Sequence, residues 1–162
     1  MASKIRPAVT SDLDFIFDLI YQGAIDRHFN PLIAQSPNAK QGFYRNLQAI
    51  LTERQRLDNN AKAYASIYEV DGASIGFLII SAMEGQSGNE LWMCSVTPTH
   101  RKQGYGSKLL DFVLPQFKSN NRALYARCEP ESEIMFQMLL KRGFELISDS
   151  SSPTRILVMP KK

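Results

Sequence analysis

The stretch Arg101-Lys102-Gln103-Gly104-Tyr105-Gly106-Ser107-Lys108-Leu109-Leu110 decides how this chain is read. Residues 91–96 just upstream have strand character and are stopped by Pro98. A basic turn punctuated by two glycines follows, and then an apolar pattern at helical spacing. Gly104 and Gly106 let successive backbone N–H groups turn toward one point. A helix starting there adds its own unpaired N–H groups and the positive end of its dipole. Such a turn suits an anion with several phosphate oxygens; a plain strand-to-helix connection is the alternative.

Two familiar phosphate loops do not fit. Leu109 stands where a dinucleotide fingerprint needs its third glycine, and the turn does not belong to an opening strand–helix unit. The spacing Gly-x-x-x-x-Gly-Lys-Ser/Thr is absent. The pattern Arg101-x-x-Gly104-x-Gly106 after a strand resembles instead the signature of the GNAT superfamily of acyl-CoA-dependent N-acetyltransferases.

The remaining sequence is compatible with that resemblance. A length of 162 residues predicts a single domain, residues 1–162, with a substantial core. Apolar residues make up 44%, and 19 basic side chains face 16 acidic ones, a net charge of +3. That balance is too mild to suggest nucleic acid, and His100, Arg101, Lys102 and Lys108 form only a local basic cluster. No apolar run reaches membrane length and no signal-peptide pattern opens the chain, so neither a membrane nor export is expected. Two cysteines, Cys94 and Cys128, make no disulfide framework and suggest a reducing cytoplasm.

Periodicity predicts mixed α and β elements. A short strand at residues 5–7 leads to a capping-box-like start at Ser11-x-x-Asp14, then to Leu13, Ile16, Phe17 and Ile20 on one helical face. Residues 27–39, with Pro31 and Pro37, read as a loop. Phe43, Leu47, Ile50, Leu51 and Leu57 mark a second helix. Strands at 64–70 and 73–81 are joined by Asp71-Gly72, a two-residue hairpin signal, and residues 84–89 turn into the strand before the glycines. Downstream, Leu109, Phe112, Val113 and Phe117 keep helical spacing, with Pro115 expected to kink or end the helix near Leu114. A strand at 123–127, a helix opened by Pro130 and Ser132 and closed by Gly143, and strands at 144–147 and 155–159 complete the chain.

Strand, two helices, three strands, helix, strand, helix, two strands is the element order of the GNAT fold. The resemblance thus covers nearly the whole chain, most specifically residues 90–144. It implies an α/β (α+β) domain with a mixed, mostly antiparallel sheet of about six to seven strands and about four helices.

The resemblance also implies a site. In the family, the strand matching residues 90–96 carries a bulge and splays from the strand matching 123–127, and the pantetheine arm of acetyl-CoA enters the gap. The exposed backbone groups would belong to Cys94 and Val96. Arg101, Lys102, Gln103, Gly104, Tyr105, Gly106 and Ser107 would hold the pyrophosphate, chiefly by main-chain N–H groups. Glu90 lies eleven residues before Arg101, where one branch of the family keeps a glutamate general base. Regular alternation puts Glu90, Trp92, Cys94 and Val96 on one face, where Trp92 could shelter the carboxylate and raise its pKa. A solvated glutamate at a strand end is the alternative. Many members carry an asparagine and a tyrosine on the helix after the fifth strand; those positions hold Ser132 and Leu139 here. Leu139 cannot protonate a leaving thiolate. A thiol pKa near 8.5 still makes that leaving group tolerable, and water, Ser132 or Tyr125 are candidate substitutes. His28 and His100 have no partners at metal spacing, so no metal is expected and both read as surface histidines. Cys94 has no evident histidine partner for covalent catalysis.

The expected reaction is acetyl transfer from acetyl-CoA to a small-molecule or peptide amine. A non-catalytic acyl-CoA sensor is the alternative that Leu139 permits; a nucleotide-binding protein of another fold is disfavoured by Leu109. The acceptor would be met by the two N-terminal helices, the loop at 27–39 and that at 148–154, which contain Asp26, His28, Tyr44 and Asp149. The C-terminal strands could pair across a homodimer.

Overall fold

Among the described residues seven strands form one sheet: β1 (Ser3–Pro7), β2 (Ala63–Val70), β3 (Ala73–Ala82), β4 (Asn89–Val96), β5 (Leu124–Cys128), β6 (Glu145–Leu146) and β7 (Arg155–Met159). The structure, a computed structural model, describes residues 2–83, 88–119, 123–147 and 153–159. The strand order is β1-β2-β3-β4-β5-β7-β6, and only the β4–β5 pairing is parallel. Asp71 and Gly72 both have positive φ, 51° and 81°, as the tight β2–β3 hairpin requires. The turn expected at 84–89 and the loop expected at 148–154 lie largely outside the described residues, as does Asp149.

Among the described residues five α-helices flank the sheet where about four were expected: α1 (Leu13–Ile25), α2 (Leu32–Gln35), α3 (Pro37–Glu53), α4 (Tyr105–Ser119) and α5 (Glu133–Lys141). The predicted loop at 27–39 is replaced by α2 and the start of α3. Pro37 takes the first helical position, where a missing N–H costs nothing, and the Ser36 hydroxyl accepts from the Ala39 N–H at 3.2 Å. Arg54, at φ 56°, ends α3 before Leu57, which is exposed. The capping box expected at Ser11 also moves. A 3-10 turn, Thr10–Asp12, precedes α1, and Asp12 accepts from the Val9 N–H at 2.8 Å.

Pro115 does not end α4, which continues to Ser119. The proline sits on the exposed side of the helix, so the Asp111 carbonyl that loses its amide partner can turn to water. Gly143, at φ 93°, closes α5 as expected: its N–H donates to the Leu140 carbonyl at 3.2 Å, and the Phe144 N–H to the Leu139 carbonyl at 3.2 Å.

Each sheet face has its own core. On one, α4 and α5 bury Leu109, Leu110, Val113, Phe136 and Leu139 against Leu78, Ile80, Leu91 and Val96. On the other, α1, α2 and α3 bury Ile16, Ile20, Ile33, Leu47 and Ile50 against Ile67, Phe77, Ile79 and Met93. The facing of β4 corrects the expected alternation. Ile79 pairs with Met93 but Ile80 pairs with Leu91, so Trp92 is an extra residue. At this bulge Trp92 and Met93 both pack toward the core under α1 and α3, while Cys94 and Val96 face α4 and α5. Glu90 and Trp92 therefore do not share a face with Cys94 and Val96.

Candidate functional site

Beyond the bulge the sheet parts. The β4–β5 ladder comprises only Asn89, Glu90 and Leu91 opposite Leu124, Tyr125 and Ala126. From Met93 onward β4 is paired with β3 alone among the described strands, and Arg127 and Cys128 with β7 alone. The gap is the floor of a cleft of about 650 Å³. It is walled by β4 from Leu91 to Val96, by β5 from Ala126 to Cys128, and by Met135, Met138 and Leu139 of α5. Gly23, His28 and Phe29 reach it from the end of α1.

The glycine turn closes the other end. Lys102 and Gly104 have φ of 63° and 88°, and alternating left-handed residues turn neighbouring N–H groups inward. A Cβ at Gly104 would meet no atom within 4 Å, so the demand there is conformational. The first-turn amides of α4, at Tyr105, Gly106 and Ser107, have no carbonyl four residues back inside the helix to bond. Tyr105 is buried edge-on against Tyr68 at 5.4 Å between centroids, which fixes where α4 begins.

Cys94, Val96, Arg101, Lys102, Gly104, Tyr105, Gly106, Ser107 and Ser132 all line this one cleft. Gln103 does not; its side chain donates to the Thr99 carbonyl at 3.1 Å. Arg101 faces the cleft, but its Nε donates to the Val96 carbonyl at 2.9 Å, so this side chain braces the strand-to-turn connection. Burial pushes the Cys94 thiol up to about 12, so it is protonated at neutral pH and unsuited to attack.

Glu90 lies outside the cleft, in a neighbouring cavity of about 660 Å³ that it shares with Arg56, Asp58, Tyr125 and Arg127. Its carboxylate is buried and accepts two hydrogen bonds from Arg127, Nε to Oε1 at 2.7 Å and Nη2 to Oε2 at 3.0 Å. Arg127 in turn is held protonated more firmly than usual, chiefly by that bond. Arg127 lines both cavities, so the ion pair stands where they meet. The expected shelter from Trp92 is thus replaced by an ionic clamp. The Trp92 ring instead stacks on the Arg56 guanidinium, 3.8 Å from its centroid, and packs against Phe43.

Two histidines expected to be ordinary surface residues also line the cleft, His28 exposed and His100 half-buried. His28 lines the cleft with its Nδ1 3.0 Å from Ser132 Oγ. His100 lines it near the glycine turn, its Nδ1 within 2.9 Å of Thr97 Oγ1 and 3.1 Å of Thr99 Oγ1. Tyr44 donates its hydroxyl proton to Asp14 at 2.9 Å, joining α3 to α1. Arg127 was missed because its role depends on the parallel β4–β5 register. The alternation Tyr125-x-Arg127, opposite Glu90 at Tyr125, is the sequence signal that bears on it.

A mixed sheet that parts between its two parallel central strands, with a glycine turn at the mouth of the gap, defines the acetyltransferase class. Residues 30–144 of this 162-residue chain match the acetyltransferase (GNAT) family, and the chain belongs to that family. Its fold is shared by the PaiA N-acetyltransferase of Thermoplasma acidophilum, solved with coenzyme A, at TM-score 0.70 and 15% identity over 100% of both chains. It is also shared by an N-acetyltransferase from Staphylococcus aureus, at TM-score 0.72 and 15% identity over 96% of this chain and 99% of that one. An acetyltransferase from Thermus thermophilus aligns at TM-score 0.67 and 16% identity, over 99% and 97%. No curated protein sequence matches at a significant level.

Proposed function

We propose that the protein is an N-acetyltransferase that moves an acetyl group from acetyl-CoA to an amine by direct attack on the thioester. One observation carries the reading: the β4–β5 ladder stops at Leu91, and the resulting cleft runs to the glycine turn. In this reading the pyrophosphate sits on the amides of residues 103–107, and the side chains of Arg101 and Lys102 contribute charge. The pantetheine arm lies beside Cys94 and Val96, on the β4 edge that lacks a β5 partner. The Thermoplasma protein, which has this fold, was solved in complex with coenzyme A, and in this reading the same ligand occupies the cleft here.

Glu90 is the acceptor of the amine proton. An alkylamine must lose a proton to attack, and a buried carboxylate where the two cavities meet provides a place for it. Arg127 neutralises the carboxylate before the transfer, and once Glu90 is protonated the pair carries the positive charge of a guanidinium whose side chain is about half exposed to solvent. The cavity around Glu90, Asp58 and Tyr125 is then the approach of the acceptor, a small-molecule or peptide amine.

The test is incubation with acetyl-CoA and a panel of polyamines, amino acids, aminoglycosides and peptides, with free CoA thiol as readout. Saturable release with one class supports the reading. A melting shift with CoA but no release with any amine supports the alternative of an acyl-CoA sensor, to which the apolar, buried Leu139 is also suited. No shift with millimolar CoA overturns both.

A further inference from the structure

The cavity around Glu90 has four charged side chains among the described residues that line it, and they stand as two pairs. Arg127 clamps Glu90. Arg56 clamps Asp58 in the same side-on way, with Nε donating to Oδ1 at 2.9 Å and Nη2 to Oδ2, and holds that carboxyl below its usual range, chiefly by those bonds. The described lining is thus electrically neutral before anything enters.

Arg56 is fixed from three sides and is 8% exposed. One face of its guanidinium lies on the Trp92 ring, Asp58 holds its side edge, and Nη1 donates to Ser81 Oγ at 3.1 Å. Ser81 donates its own proton to the Ala82 carbonyl at 2.9 Å and so offers Arg56 a lone pair. A guanidinium has five N–H donors. Arg56 spends three of them and Arg127 two on bonds to described residues. Unspent are one N–H on each Nη of Arg56, and on Arg127 one on Nη2 and both on Nη1. Asp58, by contrast, also accepts from Asn46 Nδ2 at 3.2 Å, while Glu90 keeps lone pairs for an incoming amine. The capacity left in the cavity is mainly donor, and cationic.

Strand register gathers these donors around Glu90. Ser81 of β3 stands opposite Glu90 of β4, and Glu90 opposite Tyr125 of β5, so the three form a row on one face of the sheet. Arg56 reaches Ser81 on one side of Glu90. Arg127, two residues past Tyr125 and on the same face of β5, comes from the other side. Neighbouring strands are about 4.8 Å apart, so a small molecule whose amine meets Glu90 is within reach of both guanidinium groups.

Charge decides what that molecule is. An alkylammonium alone brings a positive charge into a neutral cavity that already holds two guanidinium groups. After proton transfer the surplus persists on the protonated Glu90–Arg127 pair. A carboxylate on the same molecule cancels it at both stages, first against the ammonium and then against that pair. A doubly charged phosphate would leave an excess of negative charge instead. Planar guanidinium edges also match a carboxylate oxygen for oxygen.

We propose that the acceptor is a zwitterionic amine of the amino-acid kind, its carboxylate held by the unspent N–H groups of Arg56 and Arg127 while its amine meets Glu90. This rests on the acetyl-transfer reading. The ammonium gives one proton to Glu90, and the nitrogen bonds to the acetyl carbonyl carbon. The carbon–sulfur bond breaks with its electron pair on sulfur, and the nitrogen's second proton reaches the thiolate through water. Glu90 then releases its proton to solvent. The carboxylate is unchanged and leaves on the N-acetylated product.

Matched acceptors test the proposal, with free CoA thiol as readout. Each of a set of α- and β-amino acids is assayed with acetyl-CoA beside the amine lacking its carboxylate, its carboxamide and the corresponding aminoalkyl phosphate. At least one amino acid is expected to exceed all three counterparts by roughly 10²-fold in kcat/KM, because each counterpart leaves buried Arg56 donors unpaired or mismatched. The carboxamide has the less basic amine, so basicity biases that comparison against the expected result. In Arg56→Lys and Arg56→Gln the preference should fall below about tenfold, with KM for acetyl-CoA held within about twofold. A ratio between two acceptors does not depend on how much of a variant folds, and the wild-type comparison needs neither variant. Counterparts within about tenfold of every amino acid in the wild type, or a polyamine or aminoalkyl phosphate preferred, overturn the proposal and leave acetyl transfer intact. A preference that survives both Arg56 variants overturns it as well. A wild type whose melting shifts with CoA but which releases none with any amine overturns it together with the transfer reading.

Discussion

Glu90 illustrates how a pairing partner changes what a substitution means. Glutamine at this position presents an amide NH2 to one nitrogen of the Arg127 fork, so Glu90→Gln removes basicity and breaks half of a bidentate ion pair. The two effects separate in a cycle with Arg127→Gln, in which the double variant regains a neutral amide–amide contact. If Glu90 takes the amine proton, Glu90→Gln and the double variant each lose about 10²-fold in turnover at neutral pH, while Arg127→Gln alone loses less than about tenfold. Loss that tracks the broken pair, and recovers in the double variant, makes Glu90 a structural residue. Cys94 gives a second test. With the thiol pushed up to about 12, alkylation by iodoacetamide at pH 8 should run orders of magnitude below a free thiol and climb with pH, as mass spectrometry of the modified peptide would record. Rapid labelling at pH 8 would mean that the cleft opens further than the packing here allows.

At the scale of elements, the sequence was most legible where signals are local. The Asp71-Gly72 hairpin, the glycine turn and the Gly143 stop each depend on a conformation that one or two residues dictate. Errors arose where a residue has two meanings. Pro31 and Pro37 read as helix breakers, yet proline just inside a helix start is tolerated, and Ser36-Pro37 is itself a start signal. Alanine at Ser36 should therefore cost about 1 kcal/mol in denaturant unfolding with activity unchanged; no measurable loss would mean that packing alone sets the start of α3. Period-2 alternation along β4 presumed an unbroken ladder, so the extra residue at Trp92 reversed the facing of everything beyond it. The site was legible in the same proportion. The glycine turn is contiguous, whereas Glu90 with Arg127 and His28 with Ser132 come together only through a parallel register and a helix–loop contact that no local pattern encodes.

At the scale of the molecule, ionic ties and the parted sheet govern stability in different ways. Arg6 of β1 binds Asp12 before α1 and Glu69 of β2, and both carboxyls are held below their usual range, chiefly by hydrogen bonds from that guanidinium. Depressed carboxyls stabilise the fold above the unfolded range near pH 4, and that contribution is lost as pH falls through their lower folded values. Arg6→Ala should flatten the stability decline below about pH 4 while lowering stability at pH 7. The sheet is weakest elsewhere. Three residue pairs join β4 to β5, and beyond them the two halves face each other across the cleft. A ligand lying in that gap, bonded to the β4 edge and to the glycine turn, would tie the halves together and stabilise the folded state by mass action. At 100 times its dissociation constant the gain is about 2.7 kcal/mol, which for a chain of this size raises Tm by about 5–10 °C. Hydrogen exchange adds the location. CoA should slow exchange at residues 92–96 and 103–107 and leave β1 and β2, remote from the cleft, nearly unchanged. Gly104→Val, which forces a branched side chain into a left-handed turn, should remove both the shift in Tm and the local protection. Protection spread evenly over all strands would assign CoA to a site other than the gap between β4 and β5.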